Sequence, residues 1–109
     1  MIQEQSQAHH QTYVPMPLRL AVAIRALRNA FGMSQTELAE LAKCSRPTIN
    51  RIETVEKASP RIDTIERLLQ VFRDRGVEIQ IRDTDIVICW TSQAIYAATK
   101  EATGQITTL

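Results

Sequence analysis

Residues 34–53 read Ser34-Gln35-Thr36-Glu37-Leu38-Ala39-Glu40-Leu41-Ala42-Lys43-Cys44-Ser45-Arg46-Pro47-Thr48-Ile49-Asn50-Arg51-Ile52-Glu53. The stretch encodes two short helices joined by a tight turn. Ser34 and Glu37 have the spacing of a capping box: the hydroxyl takes the third helical amide and the carboxylate returns to the Ser34 amide. Leu38, Ala39, Leu41 and Ala42 then give one apolar face. Ser45 is a second N-cap. Arg46 follows at the first helical position and Pro47 at the second, where a missing amide costs nothing. Ile49 and Ile52, three apart, face inward, which leaves Arg46, Pro47, Thr48, Asn50 and Arg51 facing out.

That outward face has a chemistry. Arg46 and Arg51 can each give bidentate bonds to guanine, Asn50 can pair with adenine, and Pro47 offers apolar contact to a thymine methyl. Such residues on the first turns of a helix suit base edges in a DNA major groove.

Upstream, Pro15 and Pro17 mark the entry to a helix. Leu20, Ile24, Leu27 and Phe31 recur along it at helical spacing, and Gly32 ends it. Met33 and Leu38 have the spacing of a hydrophobic staple around the Ser34 cap. Arg19, Arg25 and Arg28 lie off the apolar stripe and are candidates for phosphate contact or a solvated face. Downstream, a further helix begins near Pro60 or Arg61, with Asp63 and Glu66 as an alternative local cap. Its stripe is Ile62, Ile65, Leu68, Leu69 and Phe72, and Arg75-Gly76 closes it.

The texture then changes. Val77, Ile79 and Ile81 alternate with Glu78, Gln80 and Arg82, which is strand periodicity. Asp83-Thr84-Asp85 is a turn. Ile86-Val87-Ile88-Cys89-Trp90 is a continuous apolar run, as in a strand covered on both sides. One small helical domain does not easily cover both faces, so a second copy of the chain is the natural cover. Val77, Ile79, Ile81, Ile86, Ile88 and Trp90 are accordingly the expected dimer interface, and truncation after Gly76 is expected to leave a folded monomer. Ser92 is placed to cap a short helix holding Ala94 to Ala98, and Thr99 to Leu109 reads as a frayed end.

The organisation is therefore a polar tail over 1–14, a helical domain over 15–76, and a hairpin with a short helix or tail over 77–109. The tail, with Gln3, Gln5, Gln7 and His9-His10, lacks periodicity and is expected to be disordered. Two adjacent His without a third ligand make a poor metal site. Of the 109 residues 44% are apolar, enough for one core, and the net charge is only +1. Its distribution is more telling. Residues 1–76 hold eleven Lys and Arg against eight Asp and Glu, whereas residues 77–109 hold two against four. Cys44 and Cys89 lack metal-site spacing and are read as reduced thiols of a cytoplasmic protein. A redox switch at Cys44 competes with a small residue filling the turn, and the filler weighs more. No apolar run approaches the roughly 20 residues needed to span a bilayer, so neither membrane insertion nor export is expected.

The run Ser34-Gln35-x-Glu37-Leu38-Ala39, followed by Ser45-Arg46-x-Thr48-Ile49-x-Arg51-Ile52-Glu53, resembles the lambda-repressor-like (XRE or Cro type) helix-turn-helix family. Leu27, Ile65 and Leu68 extend the match over residues 18–75, about half the chain. The resemblance implies a mainly α fold of four to five helices, here with a C-terminal β-hairpin for dimerisation. It also implies a sequence-specific, double-stranded-DNA-binding transcriptional regulator acting as a homodimer, as a repressor on an inverted repeat. DNA contacts are expected from Ser34, Gln35, Ser45, Arg46, Pro47, Thr48, Asn50, Arg51 and Lys57. Gln35 would bond a phosphate beside its own helix N-terminus. Glu53 would tie its helix to neighbouring groups. The chain departs from the family at Lys43 and at Val55, where the family tends to have Gly, and in a longer Glu56-Lys57-Ala58-Ser59 loop. The chain is also similar to HipB-type antitoxins, which pair such a domain with a C-terminal strand joined across the dimer. A toxin protein is the further partner under that alternative. No enzyme is expected: there is no nucleophile–His arrangement, no metal cluster and no phosphate-binding Gly loop, and no cofactor is implied.

Overall fold

A computed structural model of the chain describes residues 14–55 and 60–103. The expectations for the polar tail up to Tyr13, for Lys57 and its loop, and for residues 104–109 lie outside the described residues. Among the described residues, five helices and one hairpin follow in chain order: α1 (Met16–Ala30), α2 (Gln35–Ala42), α3 (Arg46–Thr54), α4 (Ile62–Arg73), β1 (Val77–Ile81), β2 (Ile86–Trp90) and α5 (Ser92–Thr103). This is the mainly helical bundle with a C-terminal hairpin that the sequence implies. Among the described residues, no helix is long and apolar enough to cross a membrane.

The apolar spacing of α1 buries Leu20, Ile24 and Leu27, and Phe31 follows just past its end. Together with Leu38, Ile49, Leu68, Leu69 and Phe72 they form a single core. The rings of Phe31 and Phe72 meet with centroids 5.7 Å apart and planes tilted by 39°, close to the offset geometry that aromatic quadrupoles favour. Two members of the expected stripes are not in this core. Leu41 is 46% exposed, because Leu38, Ala42 and Ala39 span one arc of α2 and Leu41 falls about 60° outside it. Ile62 is 81% exposed. It is the first residue of α4, and its side chain leans back over the helix start. There it lines a shallow groove with Met16, Pro17 and Pro60.

β1 and β2 pair antiparallel with Val77 opposite Trp90, Ile79 opposite Ile88 and Ile81 opposite Ile86. This register collects the alternating residues of both strands on one face, which lies on the helices. Glu78, Gln80, Val87 and Cys89 are left on the other face. The run Ile86–Trp90 is therefore not covered on both sides within the chain: Val87 and Cys89 are exposed. The residues expected at a subunit interface divide in the same way. Val77 is buried in the chain's own core, and Ile79, Ile81, Ile86 and Ile88 pack partly against it. Trp90 stacks on Phe31 at 5.7 Å between centroids and stays 36% exposed.

Truncation after Gly76 would thus open the core, contrary to the expectation of a free-standing helical domain. The core runs through Val77 and reaches Ala94 in α5. Gly76 adopts φ +96°, and a Cβ there would lie 3.0 Å from the Ala94 amide nitrogen, so this close approach requires glycine. Thr91, not Ser92, caps α5: its Oγ1 accepts from the Ala94 amide at 3.1 Å and donates to the Gly76 carbonyl at 2.7 Å. The helix also continues to Thr103, past the expected fraying point, with Thr99 Oγ1 donating to the Ile95 carbonyl at 2.8 Å.

Candidate nucleic-acid interface

The two short helices are fixed at each end by local chemistry. At the start of α2 the Ser34 Oγ accepts from the Glu37 amide at 3.0 Å, and the Ser34 amide donates to Glu37 Oε1 at 2.8 Å. At its end Lys43 takes the left-handed conformation, φ 58° and ψ 49°. The Cys44 amide then donates to the Ala39 carbonyl at 2.9 Å, a Schellman-type closure in which Lys43 occupies the position glycine usually fills. Arg67 Nε, from α4, donates to the Ala42 carbonyl at 2.9 Å and holds the same turn from below. Cys44 is half-buried against the core. Burial pushes its thiol pKa up, opposed by the charge of Arg67. A thiol held protonated in this way is a packing residue, not a reactive one.

Ser45 caps α3, accepting from the Thr48 amide at 3.3 Å and sharing a 2.8 Å hydrogen bond between the two hydroxyls. Ile49, Ile52 and Glu53 form the buried side of α3. Arg46, Pro47 and Arg51 are exposed, and Thr48 and Asn50 are half-exposed. Of the α3 set predicted from sequence, Arg46 and Asn50 meet Gln35 at the start of α2. Lys57 is outside the described residues.

Gln35 links the two helices. Its Oε1 accepts from Arg46 Nη1 at 2.8 Å, while its Nε2 donates to Glu53 Oε1 at 3.1 Å and to Asn50 Oδ1 at 3.4 Å. Arg46 and Asn50, both candidate base readers, are thus steadied by one amide. Glu53 is 4% exposed, and its carboxylate is held from the other side by Arg28. Arg28 Nε donates to Oε2 at 2.7 Å, Nη2 donates to Oε1 at 3.0 Å, and Nη1 donates to the Met33 carbonyl at 2.8 Å. The Glu53 hydrogen bond raises the Arg28 pKa above its ordinary value, against the cost of burial. The relay Arg28–Glu53–Gln35–Arg46 runs from α1 to the outer surface of α3.

Sequence reasoning placed Arg19, Arg25 and Arg28 among candidates for phosphate contact or a solvated face, and the structure gives Arg28 and Arg19 partners within the chain. The Arg28 guanidinium faces Glu53. Arg19 holds the hairpin turn: Nη1 donates to the Arg82 and Asp85 carbonyls at 2.9 and 3.1 Å, Nη2 to Asp83 at 3.0 Å, and Nε to Val14 at 3.1 Å. Neither role has a local signal, because Glu53 and the hairpin-turn carbonyls lie 25 or more residues away in sequence. Arg25 is exposed.

No curated protein and no solved structure gives a significant match to the chain. A family described as a helix-turn-helix domain does match, over residues 19–79. That span exceeds half of the chain and contains α2, the turn and α3 as well as the helices that support them. With the capping box, the left-handed turn and the outward-facing α3 in place, the chain belongs to the lambda-repressor-like helix-turn-helix family of DNA-binding regulators.

Proposed function

We propose that the protein is a sequence-specific transcriptional repressor that binds an inverted-repeat operator as a homodimer. The observation that carries this reading is the outer face of α3, where Arg46, Pro47 and Arg51 stand exposed with Asn50 beside them. These residues have no role in the core. The Gln35 amide fixes the Arg46 guanidinium before any DNA arrives, which lowers the entropy lost on binding. The N-terminal end of α2 suits a phosphate.

Dimerisation is supported by the hairpin. Among the described residues it is a two-stranded sheet, so each strand has one edge without a strand partner there, and open edges favour pairing with another copy. Beside β2 lies a groove of about 630 Å³ whose lining includes Leu18, Val22, Ala26, Ile86 and Ile88. A two-fold axis through paired hairpins would set the two α3 helices roughly 34–36 Å apart, one turn of DNA. A dimer covering an inverted repeat keeps other proteins off that DNA, which makes repression the direct consequence.

Selection of bound sites from random duplex DNA with the full chain tests the reading. A roughly palindromic site is expected, with affinity falling steeply as salt rises. Arg51→Ala should cost about 1–3 kcal/mol and relax one base position. Gln35→Ala should weaken binding and relax the preference at the positions read by Arg46 and Asn50, since it releases both side chains. If Arg51→Ala changes neither affinity nor preference, α3 is not the reading helix. Sedimentation as a monomer at micromolar concentration would remove the homodimer.

A further inference from the structure

The hairpin is fastened to α1 at both ends. At the turn end, the Arg19 guanidinium gathers the carbonyls of Arg82, Asp83 and Asp85 within 3.1 Å. At the base, Trp90 of β2 stacks on Phe31, with ring planes 26° apart. Between the two, Arg73 Nη2 of α4 donates to the Ile79 carbonyl at 3.0 Å. α1 is joined in turn to α3 through Arg28 and Glu53. A continuous path of hydrogen bonds and ring contacts therefore leads from the hairpin turn to the recognition helix. Arg19, like Arg73, Phe31 and Trp90, makes none of the contacts of the DNA-reading surface. Its fork of donors suits several carbonyls at once, which a lysine ammonium cannot match.

We propose that Arg19 is a positioning residue for operator half-site spacing: by locking the hairpin turn to the first turns of α1, it sets the angle between the dimer seam and α3. The proposal rests on the homodimer reading. In a dimer built on the hairpins, the seam is fixed by the strands, and the separation of the two α3 helices depends on how each helical body is held against its own hairpin. Without Arg19 the turn end is released while the base remains stacked on Phe31. The two helical bodies can then swing, and a range of half-site separations becomes acceptable. Binding as a unit needs both half-sites to be engaged at once, so rigidity here is converted into spacing preference.

The test uses the full chain and duplexes carrying the selected half-site once, or twice with spacers lengthened or shortened by single base pairs. Arg19→Met keeps the aliphatic stem and removes the guanidinium. Wild type should prefer one spacing, and Arg19→Met should flatten that preference by about tenfold. Its single-half-site affinity, its sedimentation as a dimer and its Trp90 emission should be those of wild type. An Arg19→Met dimer that keeps the wild-type spacing preference would overturn the proposal. So would an equal loss on every duplex, including the single half-site, because that is the behaviour of a phosphate contact. Should Arg19→Met fail to fold, Arg19→Lys carries the same comparison, with an intermediate loss of spacing preference expected and a wild-type preference counting against the idea. A monomeric wild type, in contrast, would remove the homodimer reading itself and this inference with it.

Discussion

Arg28→Met isolates the ion pair on which the reading surface rests. The Arg28 and Glu53 side chains are only 15% and 3% exposed, so water cannot replace a lost partner. The substitution keeps most of the apolar stem but removes two charge-assisted bonds to Glu53 and one bond to the Met33 carbonyl. The carboxylate then retains only the 3.1 Å bond from Gln35. Breaking a buried pair from one side costs about 3–5 kcal/mol, because a charge is left uncompensated. A domain of this size has a total stability of roughly 5–15 kcal/mol, so Arg28→Met should be folded but marginal. Replacing both partners gives a different result. Arg28→Met combined with Glu53→Leu removes the stranded charge, and its stability should return to within about 1–2 kcal/mol of wild type. Urea denaturation of the wild type, both single variants and the double variant closes the cycle, and the coupling should be at least about 2 kcal/mol. An Arg28→Met cost below about 1 kcal/mol would put the pair in the class of solvent-screened surface bridges and refute the reasoning. A double variant as unstable as Arg28→Met would refute it too, because the loss could not then come from the unpaired carboxylate.

Lys43→Gly should raise stability by about 0.5–1 kcal/mol in thermal denaturation, since a side chain at φ 58° costs about 1–2 kcal/mol and glycine returns part of that as chain entropy. Gly76→Ala should destabilise by about 1–3 kcal/mol, because it adds a Cβ at positive φ against the α5 backbone; an unchanged Tm would mean that α5 does not pack there. Asp85 accepts two bonds from Arg82, at 2.7 and 2.9 Å, and these hold its carboxyl below the usual carboxylate range. Its contribution to stability is therefore complete above the unfolded-chain value of about 4 and is lost as pH falls through the lower folded value. NMR titration should find Asp85 among the last carboxylates to protonate, and Asp85→Asn should flatten the acid limb of the stability curve.

Much of the DNA-reading unit is written in local signals. The capping box Ser34/Glu37, the Ser45 cap, Pro47 in the first turn of α3 and the Ile49/Ile52 spacing each act within a few residues, and all form as the sequence implies. The outward facing of Arg51 follows from them, because a 3.6-residue period sets it roughly 160° from Ile49, whereas Arg46 lies on the buried side by period and is exposed at the first position of the helix. The hairpin and its register are equally local, since alternation in β1 allows only one face to be apolar. What the sequence by itself determined is therefore the set of elements and the side of each that is buried. What lies beneath each element was decided by the tertiary structure. The apolar run of β2 suggested a second copy as its cover, yet one face rests on the chain's own helices and Val77 belongs to the core. Leu41 and Ile62 sit among apolar neighbours in sequence but are exposed, because burial depends on what packs opposite. The four arginines Arg19, Arg28, Arg67 and Arg73 look alike as charges off an apolar stripe. Only the assembled fold shows Arg28 forked onto the buried Glu53 carboxylate, and Arg19, Arg67 and Arg73 each reaching a backbone carbonyl of another element. A long, flexible side chain has no preferred partner of its own, so its role is set by which acceptors the packed backbone brings within its reach.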